Sequence, residues 1–372
     1  MRGAMVTALL TLALPAWPQT LEQVLLPPPA ELQPPEPSLL ASIDRVRESQ
    51  GAYSVQAIEP LVALADLYQR AGDHIAALSM YAEARVVHRR VFGLLSEGEI
   101  AILDAMTASL ESVHRIDEAH ERQRAALELA ERNRGQHSLE LLPALYKYAT
   151  WLRSHGGHAL ERLQYQRIRW IVEEHYGEDS IHMVRPLLDI ANSYREQRLP
   201  SNLGMQALRR ALEILESRRA GDPLAIAKTL RDIGDWHAAF QGGGAKGDEY
   251  LRAWELLGRI ESGEALRAQW FQRPRCVLCE PPNAAGTVSE QARERAEAGF
   301  VLVEFDVDTR GRAHNIHVVE SHPAGFKDES VVQAIGRSRF RPQIVDGELA
   351  PAADVARRYT FLFEPGGRRS SG

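Results

Sequence analysis

Few side chains in this sequence have the type and spacing to do chemistry. Cys276-Val277-Leu278-Cys279 has the spacing of half a zinc site or of a redox dithiol. Zinc needs a second pair, haem attachment needs His where Glu280 stands, and no strand–helix context suggests a redox centre. A local disulfide is expected in an oxidising compartment, with two free thiols as the alternative. His314 and His317, three apart in an expected strand, should face opposite ways and be unable to share a metal. His88, His114, His120, His175 and His182 fall on expected helices without a partnered carboxylate signature. A phosphate loop needs Gly-Lys-Ser/Thr after a strand. In Gln241–Gly247 the lysine, Lys246, is followed by Gly247, so that run reads as a flexible turn. No metalloprotease helix or serine elbow is present. The expectation is therefore no catalytic residue, metal or cofactor, and no enzyme.

The elements that would carry these residues fall into two textures. From residue 38 to about 270 a helical pattern repeats. Gly93, Gly135 and Gly177 stand 42 residues apart, and the apolar beat keeps the same period. Leu61, Leu64, Ala65 and Tyr68 mark one helical face, Gly72-Asp73 a turn, and Ala77, Tyr81 and Ala84 a second face. Later units run through Leu103, Met106, Leu110, Ala119 and Ala126, then Leu145, Tyr148, Ala149, Leu152, Gly156 and Tyr165. Two more follow, with Leu187, Ile190, Ala191 and Tyr194, and with Leu230, Ile233, Gly234, Tyr250 and Ala253. Small residues let paired helices approach and large ones fill beside them. One pair cannot bury its own apolar face, so neighbours must stack. This pattern resembles the tetratricopeptide repeat in its 42-residue, kinesin-light-chain-like form. In the second unit His114 and Gln123 replace the family's Gly and aromatic. The resemblance implies a protein-binding scaffold with a groove lined by the first helix of each pair; Tyr68, Tyr148 and Tyr194 are read as packing residues.

After Trp270 the period changes from helical to alternating. Val301, Val303, Phe305 and Val307 share one face of a strand. Asp308–Gly311 is a turn and Ile316, Val318 and Val319 belong to a returning strand, ended by Ser321–Gly325. Lys327 to Arg339 reads as a helix burying Val331, Val332 and Ile335, stopped by Phe340-Arg341-Pro342. Asp346-Gly347 makes a further turn, and Val355 to Phe363 a last strand. Gly299, Val301, Val303 and Phe305, the turn residues Asp308 and Gly311, Val318, Val319 and Ser321, the stretch Arg339-Phe340-Arg341-Pro342, and Phe361 with Phe363 occur in the order found in the C-terminal domain of the TonB family. One departure is His322-Pro323 after the serine. The resemblance implies a small mixed α/β domain whose sheet edge accepts an extended segment of an outer-membrane receptor through main-chain hydrogen bonds. Val355, Arg357, Tyr359, Thr360, Phe361 and Phe363 are the expected pairing edge; self-pairing into a homodimer is the alternative.

The N-terminus reads as a leader. Arg2 precedes an apolar run from Ala4 to Leu14 and the break at Pro15-Ala16. That run reaches only about 16 Å at 1.5 Å per residue, about half a bilayer core. Six prolines between Pro27 and Pro37 make an extended tether. The net charge of −6 is evenly spread: 1 basic and 3 acidic residues lie in 1–37, 30 and 33 in 38–274, and 13 and 14 in 275–372. No basic face is available for nucleic acid.

The expected organisation is a signal peptide (1–17), a Pro-rich linker (18–37), a helical repeat array (38–270), a TonB-like domain (275–365) and a disordered tail (366–372). The fold class is an all-helical solenoid followed by a small α/β domain with an antiparallel sheet. The expected function is that of a periplasmic adaptor, exported by a cleaved leader. Its array would hold one partner and its sheet an outer-membrane receptor-like protein. The alternative is a genuine energy transducer anchored in the inner membrane by an uncleaved N-terminal helix. That alternative needs a full membrane helix and a long rod, and the Pro-rich stretch spans only about 35 Å at ~3.1 Å per residue.

Overall fold

The computed structural model describes residues 36–217, 221–241, 247–283, 298–325 and 327–362. The leader (1–17), nearly all of the Pro-rich stretch, Lys246, Phe363 and the tail (366–372) lie outside the described residues. Internal contacts divide the chain into two compact units at Val91/Phe92.

In the first unit, α1 (Glu36–Gln50) is followed by a 3-10 turn, Val55–Ala57, then by α2 (Ile58–Arg70) and all but the last residue of α3 (His74–Phe92). α1 begins inside the stretch expected to be extended. Pro37 sits in its first turn, where a missing N–H removes no helical bond. Leu61, Leu64 and Ala65 of α2 and Ala77, Tyr81 and Ala84 of α3 are buried, as their spacing predicts.

The second unit continues the pairing through α4 (Glu99–Ser112), α5 (Ile116–Arg134), α6 (Leu142–Ser154), α7 (His158–Tyr176), α8 (Val184–Glu196), α9 (Asn202–Glu216), α10 (Pro223–Phe240), α11 (Asp248–Leu257) and α12 (Gly263–Phe271). Among the described residues no helix is long and apolar enough to cross a membrane.

The 42-residue beat has a backbone cause. Gly51, Gly93, Gly135 and Gly177 all have φ between 82° and 91°. Three residues after each comes a serine: Ser54, Ser96, Ser138 and Ser180. The hydroxyls of Ser54, Ser138 and Ser180 accept the N–H two residues on, capping the short turn that launches the next helix. A second left-handed series runs through the tight turn inside each pair: Gly72, His114, Gly156 and Arg198. His114 and Arg198 adopt φ of 58° although neither is glycine.

The sheet follows. β1 (Arg275–Leu278), β2 (Ala298–Val307), β3 (Ala313–His322), α13 (Asp328–Arg337), β4 (Arg339–Arg341), β5 (Gln343–Val345), β6 (Glu348–Ala350) and β7 (Ala352–Leu362) complete the described chain. The main sheet is antiparallel in the order β3-β2-β7. Val301, Val303, Phe305 and Val307 are fully buried against Val331, Ile335 and Phe340.

Two expectations are corrected here. The helix expected over Lys327–Arg339 ends at Arg337, and Arg339-Phe340-Arg341 is a strand paired with β1. Ser338, with ψ of 156°, turns the chain out of the helix, and Pro342 disfavours helical dihedrals at Arg341; Val332 is only half-buried, and Ala334 takes its place in the core. His314 and His317 share the solvent face instead of opposing each other. Asn315 sits at φ 51° in a bulge, which reverses the alternation, so His317 faces Glu304 and His314 faces Asp306.

Candidate strand-pairing edge and its seat on the helical array

β7 lies at one border of the sheet. Eight consecutive residues, Val355 to Leu362, pair in register with Phe305 back to Ala298, and the single shift comes only beyond them. Among the described residues no strand pairs with the other side of β7. The opposite border, β3, is broken by two register shifts against β2, and bulges of that kind blunt an edge. The long regular border is therefore β7.

The side chains of β7 alternate. Val355, Arg357, Tyr359 and Phe361 are half-buried on the face that carries α13, while Arg358 and Thr360 point to solvent. The Arg357 guanidinium lies 5.1 Å from the Tyr359 ring centre, and Lys327 Nζ lies 5.1 Å from that of Phe361. On the outer face Arg358 stacks on Phe300 at 3.8 Å, and Phe300 stacks on His322. The Tyr359 hydroxyl is buried without a hydrogen-bond partner among the described residues. Burial pushes its pKa up, with Arg357 opposing.

The sheet is seated on the last helices of the array by residues that sequence reasoning did not single out as functional. Arg341 of β4 donates from Nε and Nη2 to the two carboxylate oxygens of Asp235 in α10, at 2.8 and 2.6 Å. Its Nη1 donates to the Trp270 carbonyl at 3.2 Å, and Tyr250 Oη donates to Asp235 Oδ1 at 3.0 Å. Arg195 reaches Asp235 Oδ2 from α8 at 3.2 Å. Burial works against the Arg341 charge, but Asp235 outweighs it and the guanidinium pKa is raised. Burial first, then Asp235, push the Tyr250 hydroxyl well up.

Around this pair the contact is apolar. The β5–β6 hairpin turns at Asp346-Gly347, both at positive φ, and Ile344 packs into the core formed by Tyr250, Phe271 and Trp270, with Leu349 against it. Gly311 is required at its turn: a Cβ there would fall 1.9 Å from the Phe340 carbonyl oxygen. On the other flank Arg198, in its left-handed turn, donates to Glu280 Oε2 at 2.8 Å and to the Cys279 carbonyl. Cys276 and Cys279 are joined through sulfur, with Cα atoms 5.7 Å apart. The bridge borders a cavity of about 430 Å³ that Arg195, Arg275 and Arg341 also line. Among the described residues no group of three His, Cys, Asp or Glu side chains is placed to hold a metal.

Asp235 had only a slight sequence signal, an acid between Gly234 and Trp236 in a stretch that also carries Arg231, Asp232 and His237. Nothing in the sequence indicated its partner.

Comparison with known proteins finds similarity in both halves. A stretch of 72 residues is 36% identical to protein TonB of Pseudomonas aeruginosa, covering 19% of this chain and 20% of that protein; the match thus spans a fifth of the relative's length. Similar solved structures include BtubC (BKLC) from P. vanneervenii, at 18% identity over 68% of this chain and 96% of that one, TM-score 0.38. A putative kinesin light chain with nearly identical TPR-like repeats from Podosopora anserina matches at 12% identity over 61% and 97%, TM-score 0.40. The apo form of RapI matches at 14% identity over 61% of each chain, TM-score 0.43. Residues 288–364 match the family model of the Gram-negative bacterial TonB protein C-terminal and residues 56–132 that of the tetratricopeptide repeat, so the chain carries one segment similar to each family.

Proposed function

We propose that this chain is a non-enzymatic adaptor of a Gram-negative cell envelope, in which β7 takes up an extended segment of an outer-membrane protein while the helical array holds a second partner. The observation that carries the reading is the regular eight-residue border Val355–Leu362, unpaired on its outer side among the described residues. Such a border offers evenly spaced N–H and C=O groups to an incoming strand, so affinity comes from the main chain and no catalytic group is needed. The envelope location rests on the TonB-like segment and on the leader-like composition of residues 1–17.

The test is photo-crosslinking in cells from position 360, where Thr360 is exposed on β7, using the full chain. Capture of an extended segment of an outer-membrane protein is expected. Capture of a second copy of this chain alone would replace the adaptor with a homodimer, and capture of nothing would overturn the edge. N-terminal sequencing and carbonate washing of the envelope fraction separate an exported form from a membrane-anchored transducer.

A further inference from the structure

The two sulfurs of the Cys276–Cys279 bridge have unequal surroundings. Cys276 lies in β1 and packs against the apolar core that holds Val303, Phe305 and Phe340. Cys279 stands just past β1, and Arg357 of β7 brings its Nη1 to 3.9 Å from the Cys279 sulfur. Both cysteines are half-buried, and both line the open cavity of about 430 Å³ beside the bridge. That volume lies within the roughly 300–1,000 Å³ of ligand-sized pockets. Most other charges around the cavity are matched. Arg341 and Arg195 share Asp235, Arg198 is answered by Glu280, and Glu196 faces Arg153. Arg357 has the Tyr359 ring and the Cys279 sulfur, and no carboxylate among the described residues. A guanidinium beside a cysteine favours the thiolate, whereas apolar surroundings favour the thiol. Many redox cysteines owe a lowered pKa to a helix N-terminus. Among the described residues no helix begins at this pair, and Arg357 takes that place.

We propose that Cys276–Cys279 is a reversible thiol–disulfide exchange site for a small thiol that enters this cavity, with Cys279 as the sulfur that leaves as a thiolate. The incoming thiolate attacks Cys276 Sγ and forms a mixed disulfide with it. The Sγ–Sγ bond breaks, its electron pair goes to Cys279, and the new charge rests beside Arg357. A sulfur of lower pKa leaves faster, which selects Cys279 over Cys276. A second thiolate then attacks the outer sulfur of the mixed disulfide, and Cys276 departs and takes up a proton. In balance two thiols are oxidised to one disulfide and the bridge gains two electrons. One of the two protons released ends on Cys276, and the other stays in solvent while Cys279 remains ionised. The reverse sequence closes the bridge again. This activity goes beyond the adaptor reading and does not depend on what β7 captures.

The test uses the full chain with glutathione as the probe. In roughly 10 mM reduced glutathione held at about a hundredfold excess over the oxidised form, the bridge should open, and it should close again in oxidised glutathione. Both steps are read by alkylation and intact mass. A bridge that stays closed there and opens only in dithiothreitol would be purely structural and would overturn the proposal. The asymmetry is read in Cys276→Ser and Cys279→Ser, each left with one thiol. Alkylation rate against pH should place the Cys279 thiolate about one pH unit or more below the Cys276 thiolate. Arg357→Gln added to Cys276→Ser should bring the Cys279 profile up toward that of Cys276. Equal profiles in the two single-cysteine chains would overturn the choice of Cys279 as leaving sulfur, and they decide it even if Arg357→Gln folds poorly. An unchanged Cys279 profile in Arg357→Gln would overturn the assignment of the stabilising charge to Arg357.

Discussion

Arg341 and Asp235, 106 residues apart in sequence, meet through two hydrogen bonds in a setting where their side chains are 8% and 4% exposed. The pair joins the residue before Pro342 in the TonB-like segment to the last helical pair of the array, α10 and α11. Because each charge is withdrawn from water, each depends on the other. A strand captured at β7 would therefore pull on a sheet already anchored to the helices.

Removing either partner should be costly, and unequally so. Asp235→Ala leaves Arg341 buried with only carbonyl and ring contacts, and a loss of about 3–5 kcal/mol is expected. Arg341→Ala should cost less, because Arg195 still answers Asp235 at 3.2 Å. The double change Asp235→Leu with Arg341→Met should cost less than the two single losses together. Urea unfolding followed by Trp fluorescence reads this locally, since Trp270 belongs to the core at this contact and Trp254 packs against it.

The second left-handed turn predicts a gain. His114 holds φ of 58° with an exposed side chain, a conformation that costs a residue with a Cβ roughly 1–2 kcal/mol. Gly72 and Gly156 hold the equivalent positions without that cost. His114→Gly should stabilise the second unit by about 1 kcal/mol or somewhat less, since glycine also loosens the unfolded chain. A lowered unfolding midpoint would show that the imidazole makes a stabilising contact.

Acid should loosen α10 from α11. The Glu249 carboxyl is held below its ordinary value of 4.5, chiefly by His237, with burial opposing; the two side chains are 3.4 Å apart. For a depressed carboxyl the stabilisation is complete above the ordinary value and disappears as pH falls through the lowered one. His237→Gln should flatten that part of the stability profile and leave the profile near neutrality less changed. Chemical unfolding at a series of pH values down through the carboxyl range measures it.

Intact mass without reductant should show the chain two hydrogens lighter than its sequence, with the missing pair assigned by digestion to Cys276–Cys279. Reduction should then release the Cys279 carbonyl that Arg198 engages, raising hydrogen exchange in residues 276–280. Two intact thiols under oxidising conditions would refute the bridge.

Short-range periodicity made much of this architecture legible. The 42-residue spacing of Gly93, Gly135 and Gly177 located the ends of successive second helices, because a chain leaving a helix in the left-handed region favours glycine. The alternation Val301, Val303, Phe305, Val307 placed β2 with its buried face. Where a local rule met an irregular backbone it failed. The bulge at Asn315 put His314 and His317 on one face, and strands of three or four residues such as β4 and β1 are too short to show a period.

What the sequence determined by itself is the set of elements and the face each must bury, since both follow from residues a few positions apart. That Arg341 finds Asp235 and that Arg198 reaches Glu280 were decided only by tertiary structure. Each depends on which side chains a completed fold brings within about 4 Å, and no periodicity records a meeting between residues separated by dozens of positions.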